Sequence, residues 1–291
     1  MSSIASRHGW TPRRVAVLCA MVAVVAWWGR LALEDIYRFA TGQTDNGYIL
    51  LAPAVGAYLA WLRRSRLQFL RYRPSLFGAA LVLVGMAGSL WGDESGYQLF
   101  WHAGVMVAIV GCVYSMTGWE LVRQFAPVLL AVALMIPVPG RIRDALAGPA
   151  QEFSVAASHA TLEILGVDAG REGNVLIIDG QPVAVGEACN GMRMVFALGL
   201  VVFAFVFSVP FSGVTRLVLV CAAPIVALTC NIVRLVPTSI AFGWFSSDLA
   251  QQIHDIGGWV MLPLALVMLM GIVKVLRWLD LPVMSWRLLP S

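Results

Sequence analysis

Eight stretches of the chain are too apolar to face water, and they constrain the fold more than any other feature. They run over 15–33, 47–62, 76–92, 98–116, 125–137, 191–209, 214–240 and 256–276. A helix of ~20 apolar residues crosses the hydrocarbon core of a bilayer. Backbone polar groups in lipid must be satisfied within the segment, which leaves helices or closed barrels as the only spanning structures. Runs of this length predict helices. Charged residues make up only 12% of the chain, hydrophobic residues 59%, and the mean hydropathy is +0.80. Soluble domains carry about a quarter charged residues. The expectation is therefore an all-α integral membrane helical bundle with about eight transmembrane helices, residues 1–291 forming a single polytopic membrane domain.

Basic residues set the expected orientation. With the N-terminus inside, Arg63, Arg64, Arg66, Arg71 and Arg73 fall in one cytoplasmic loop. Arg123, Arg216, Lys274, Arg277 and Arg287 fall on the same side, as the positive-inside rule requires. Both termini are then cytoplasmic. Arg7, Arg13 and Arg14 ahead of the first run also fit a signal peptide. Arg30 follows without a small-residue cleavage site, so the run reads as a retained span. The net charge of +4 belongs to these loops. No basic stretch is interleaved with exposed aromatics, so no nucleic-acid partner is expected; membrane lipid is.

Residues 138–190 form the one substantial segment outside the spans, on the outer face. Pro137-Val138-Pro139-Gly140 breaks the fifth run. Ile142, Leu146, Phe153, Ala157, Leu162 and Leu165 then recur at helical spacing, predicting an amphipathic helix over 141–165 at the outer interface or on the bundle. Asp179-Gly180 between two β-branched runs predicts a β-hairpin before the sixth span.

Three polar features stand where a bilayer discourages them. Cys189 opens the sixth span, and a helix N-terminus favours thiolate. Arg193, four residues on, shares its helix face. The alternative is a structural cysteine with Arg193 snorkelling to the headgroups. Arg234 lies inside the seventh run, with Asn231 three residues earlier. An intramembrane Arg faces a partner or a wet cavity, and a purely structural Arg would do so too. His254-Asp255 precedes the eighth run, with Asp255 placed to orient the imidazole. His102 and His159 also fall outside, and residue chemistry alone does not rank the three histidines. The remaining cysteines, Cys19, Cys112, Cys221 and Cys230, sit in apolar runs as small hydrophobes. No Cys/His spacing calls for a metal, and no glycine-rich phosphate loop calls for a cofactor. Cysteine, guanidinium and imidazole from three segments converge on one membrane face under this topology. A nucleophile, an oxyanion-stabilising cation and a proton carrier are what acyl transfer needs.

The sequence resembles the exosortase/archaeosortase family. The resemblance rests on Ala188-Cys189-Asn190-Gly191-Met192-Arg193 opening a span, Asn231-x-x-Arg234 in the next, and His254 before the last. The Pro137-x-Pro139-Gly140 break and the hairpin ahead of the cysteine also match. Asn190 stands where the family commonly has Ser, marking a subfamily variant. The resemblance implies a cysteine transpeptidase of the inner membrane with its active site on the periplasmic face. Its substrates would be exported proteins carrying a C-terminal sorting tail of motif, transmembrane helix and basic cluster, passed to an unknown acceptor. Cys189 would be the nucleophile, Arg234 the oxyanion or substrate-positioning group, and His254 the general acid/base. On the physical grounds above, and not from the resemblance, Arg193 and Asn231 would support them, with Asn190 and Asp255 beside them. The rival readings are a membrane cysteine protease that only hydrolyses, a non-enzymatic transporter, or an exopolysaccharide assembly factor.

Overall fold

The computed structural model describes residues 10–42, 46–69, 71–184, 192–279, 281, 283 and 284. Seven of the eight apolar runs each fall largely within one helix and the first is divided between two; the described residues are all-α apart from one small sheet. The chain divides into two compact units, Met1–Pro139 and Gly140–Ser291, at the Pro-Val-Pro-Gly break.

The first unit holds α1 (Pro12–Trp28), α2 (Arg30–Gly42), α3 (Tyr48–Leu62), α4 (Leu76–Glu94), α5 (Gln98–Thr117) and α6 (Trp119–Ala133). Thr11 caps α1 through the Arg14 N–H at 3.3 Å, with Pro12 at the first helical position. The first run does not continue as one helix. It breaks at Gly29, and α2 departs at 70°. A Cβ at Gly29 would lie 2.6 Å from Val105 of α5, so only glycine allows this approach. Helices α4 and α5 pack closest. Gly78, Gly85 and Gly92 recur every seven residues on α4 and face the backbone of Ser115, Ala108 and Trp101. Small residues at such spacing let two membrane helices touch backbone to backbone.

Among the described residues, four helices are long and apolar enough to cross a membrane: α4 and α5 in this unit, and Gly213–Trp244 and Ser247–Trp278 in the second. The count becomes five if α1 and α2 form one bent span. Against the eight spans read from the sequence, α3 and α6 are 15 residues each, about 22 Å long. Phe125 leaves helical geometry two residues ahead of Pro127, which kinks α6.

The second unit holds α7 (Gly140–Ile164), β1 (Ala169–Glu172), β2 (Val175–Ile178), β3 (Gln181–Ala184), α8 (Met192–Ser208), α9 (Gly213–Trp244) and α10 (Ser247–Trp278). The apolar positions read from the sequence do not form one buried stripe on α7. Ser154, Val155, Ser158 and Leu162 are buried, while Ile142, Leu146, Phe153 and Leu165 are exposed. Val155 and Leu162 pack on Leu176, Ile178 and Val183 of the sheet and on Leu235 and Val236 of α9.

Where the sequence reading has a hairpin, the structure has a three-stranded antiparallel sheet in the order β1-β2-β3. Ile178 pairs with Gln181 across Asp179-Gly180, both at positive φ (48° and 78°), the backbone of a two-residue hairpin turn. The sheet is seated on α9. Ile178 fills the space where a Cβ at Gly243 would go, and Trp244 Nε1 donates to Asp179 Oδ2. Leu198 and Val202 of α8, Leu219, Val226 and Cys230 of α9, and Met261, Ala265 and Leu269 of α10 form one core.

Candidate functional site

Helices α9 and α10 are joined by Phe245 and Ser246 alone, which makes them antiparallel neighbours. The polar positions of α9 share its buried face: Asn231, Arg234 and Thr238 recur at the i, i+3, i+7 spacing of a helix and are all buried. Arg234 is only 6% exposed. Its aliphatic stem lies on Gly257 of α10, where a Cβ would stand 3.0 Å from Arg234 Cγ. Glycine at 257 thus opens the channel along which the guanidinium reaches the neighbouring helix.

What it reaches is His254. Arg234 Nη2 lies 2.8 Å from His254 Nε2. A guanidinium only donates, so Nε2 accepts with its lone pair and the ring proton sits on Nδ1. That nitrogen is 3.2 Å from Asp255 Oδ1, and the carboxylate also accepts from Gln251 Nε2 at 2.9 Å. The imidazole is therefore held between a buried cation and an exposed carboxylate, in one tautomer, with its reactive lone pair turned towards Arg234. The helix containing it begins at Ser247, seven residues earlier than His254, so the histidine stands within α10 and not ahead of it as the apolar run implies.

The other histidines are engaged elsewhere. His159 Nε2 donates to the Ala169 carbonyl at 2.9 Å, tying α7 to β1. His102 belongs to the first unit and pairs with Asp35 at 3.0 Å. Of the residues singled out from sequence, the structure thus brings together Arg234, His254 and Asp255, with Asn231 buried one turn from Arg234. Cys189 and Asn190 lie outside the described residues, and Arg193 is described only as backbone of α8. Gln251 and Gly257 escaped the sequence reading. The i, i+4 spacing of Gln251 and Asp255, and of His254 with Gly258 beside Gly257, is the only trace they leave there.

The start of α8 lies at the same end of the helices as the Arg234–His254 contact. Leu198 of α8 packs in one cluster with Cys230 of α9 and Met261 of α10. From that level Arg234 is four residues along α9 and His254 seven residues back along α10, each towards the α9–α10 connection. The start of α8 at Met192 is six residues from Leu198.

A family model described as transmembrane exosortase (Exosortase_EpsH) matches residues 27–271. The comparisons with curated proteins and with solved structures gave no match. With most of its length covered by that model, the chain belongs to the transmembrane exosortase family.

Proposed function

We propose that the protein is a membrane-embedded cysteine transpeptidase that cuts the C-terminal sorting tail of exported proteins and passes the acyl group to an acceptor. The observation that carries this reading is the Arg234–His254 contact at the shared end of α8, α9 and α10. Chain length supports adding Cys189 to it. Met192 is the third residue after Cys189, at most ~11 Å of chain away. The same topology gives eight crossings with both termini in the cytoplasm, and it turns this end of the three helices towards the periplasm. The shorter α3, α6 and α8 complete the count.

In the proposed reaction, His254 Nε2 takes the proton of Cys189. Arg234 swings off that nitrogen onto the scissile carbonyl, where a cation stabilises the oxyanion. Cys189 sulfur bonds the carbonyl carbon, and the C–N bond breaks as the imidazolium returns its proton to the departing amine. The tail leaves with a free amine, and the upstream protein remains as a thioester. An incoming amine attacks the thioester and His254 receives its proton, which goes back to the sulfur. Asp255 steadies the ring through Nδ1–H throughout.

Processing of an exported tail-bearing protein in membranes tests the reading. Cys189→Ala and Cys189→Ser are expected to stop cleavage while the protein accumulates normally. Normal cleavage by Cys189→Ala would remove the cysteine from the reaction. The mass of the released upstream product separates transfer from hydrolysis, since water leaves a free carboxylate.

A further inference from the structure

One helical turn beyond the Arg234–His254 pair, the second unit contains an apolar cavity of about 140 Å³ lined by Ala197, Leu198, Ala227, Cys230, Gly258, Met261 and Leu262. Its walls come from α8, α9 and α10, and four of these seven residues are Gly, Ala or Cys. Gly258 has nothing within 4 Å of where a Cβ would sit, whereas its neighbour Gly257 is in contact with Arg234. The two glycines do different work: one admits the guanidinium stem, the other leaves space empty. The pocket is partly open; for scale, a volume of ~150 Å³ holds a molecule the size of benzene. The volume therefore suits one aromatic ring or branched aliphatic side chain, and the lining offers nothing to a charged one.

Position fixes which side chain. Cys230 is four residues from Arg234 on α9 and Gly258 four from His254 on α10, so the near edge of the cavity lies ~6 Å from the pair along the helices. An extended peptide advances ~3.3 Å per residue and returns to the same face every second residue. A scissile bond held at the pair would present a residue two positions away to this cavity.

We infer that the cavity is a specificity subsite taking one large apolar side chain of the substrate, two residues from the bond that is cut. This rests on the reading of the Arg234–His254 pair as the place of cleavage. Space at Gly258 and Ala227 sets the size of residue accepted.

Two experiments test it on the full-length protein in membranes. The first uses a processed, tail-bearing exported reporter with Ala, Val, Leu or Phe at each position within two residues of the mapped cut. Wild type is expected to prefer Leu or Phe over Ala at one position by about 10-fold or more, the worth of a filled apolar pocket. Gly258→Leu is expected to reverse that order, losing the large residues at least ~10-fold and keeping Ala. A reversal cannot come from misfolding. If Gly258→Leu does not accumulate, Gly258→Ala and Ala227→Val should shift the preference in the same direction by smaller steps. An unchanged size order, or an equal loss on every tail, would overturn the subsite.

The second experiment needs no turnover. Photo-leucine placed two residues from the cut, in the intact tail presented to Cys189→Ala protein, should crosslink to peptides carrying residues 197–198, 227–230 or 258–261. Crosslinks confined to other segments would overturn the proposal. Cleavage by Cys189→Ala would instead count against the cysteine reading, with the crosslink position still deciding the subsite.

Discussion

Among the described residues there are two histidine–aspartate pairs, one in each unit, and they have little else in common. His102 is 1% exposed, its Nε2 3.0 Å from Asp35, with Nδ1 buried and without a hydrogen-bond partner among the described residues. Its indole neighbour Trp101 stacks on it at 5.1 Å. This pair joins α2 to α5 and presents no reactive nitrogen to any path. His254 is half-buried, its carboxylate partner is exposed, and its second nitrogen meets a buried guanidinium. An apolar cavity opens one turn away. A histidine with a carboxylate is thus a structural tie in one unit and part of a candidate site in the other. The added cation and the adjoining space make the difference.

Substitutions at the two pairs should separate these roles. His254→Ala has the largest expected effect, a fall in processing rate of ~10²–10⁴-fold, the range for losing a general acid–base group. It is read from initial rates at equal protein levels; a rate within a few-fold of wild type would leave His254 with no more function than His102. Arg234→Lys comes next, with a loss of ~10²–10³-fold, because an ammonium lacks the planar fork that spans imidazole and carbonyl. Retention of activity by lysine would mean that charge alone matters. Gly257→Val should act in the same direction and more weakly, since its side chain meets the Arg234 stem; a rescue by Gly257→Ala distinguishes displacement from general disruption. Asp255→Asn is expected to cost about 5-fold or less, the worth of an exposed ion pair. His102→Leu should leave the rate within about 2-fold and lower thermal stability in detergent by about 1–3 kcal/mol, the effect of stripping Asp35 of its buried donor. A large loss of rate with unchanged stability in that variant would collapse the contrast between the two pairs.

Hydropathy located the long apolar helices, because solvent transfer dictates where apolar runs go, but it did not separate α2 from the first run, since α2 carries Glu34, Asp35 and Arg38 past the end of that run. It did not mark where the helices end. Ser247–Asp255 is mostly polar, yet it extends α10 by more than two turns, since a helix satisfies its own backbone whatever its side chains contact. The break at Gly29 depends on Val105, a residue far along the chain, and left no local signal. Strand β1 reads Ala169-Gly170-Arg171-Glu172, with no β-branched residue, and is a strand because β2 pairs with it. For the site, the residue types were legible: Arg234 and His254 stood out as polar groups at the edges of apolar runs. Their contact was not, nor was the choice of His254 over His102 and His159, because each depends on which helices are neighbours. Gly257 became meaningful only when Arg234 lay against it.

The central claim is that Cys189, Arg234 and His254 act on one carbonyl, and its most direct measurement is the covalent intermediate itself. Protein mixed with a tail-bearing substrate, quenched in acid and digested, should yield the upstream fragment attached through a thioester to the peptide carrying Cys189. The adduct should be absent in Cys189→Ala and strongly reduced in Arg234→Lys. Released product without any cysteine-linked adduct, or an adduct that forms equally well without Arg234, would contradict the account.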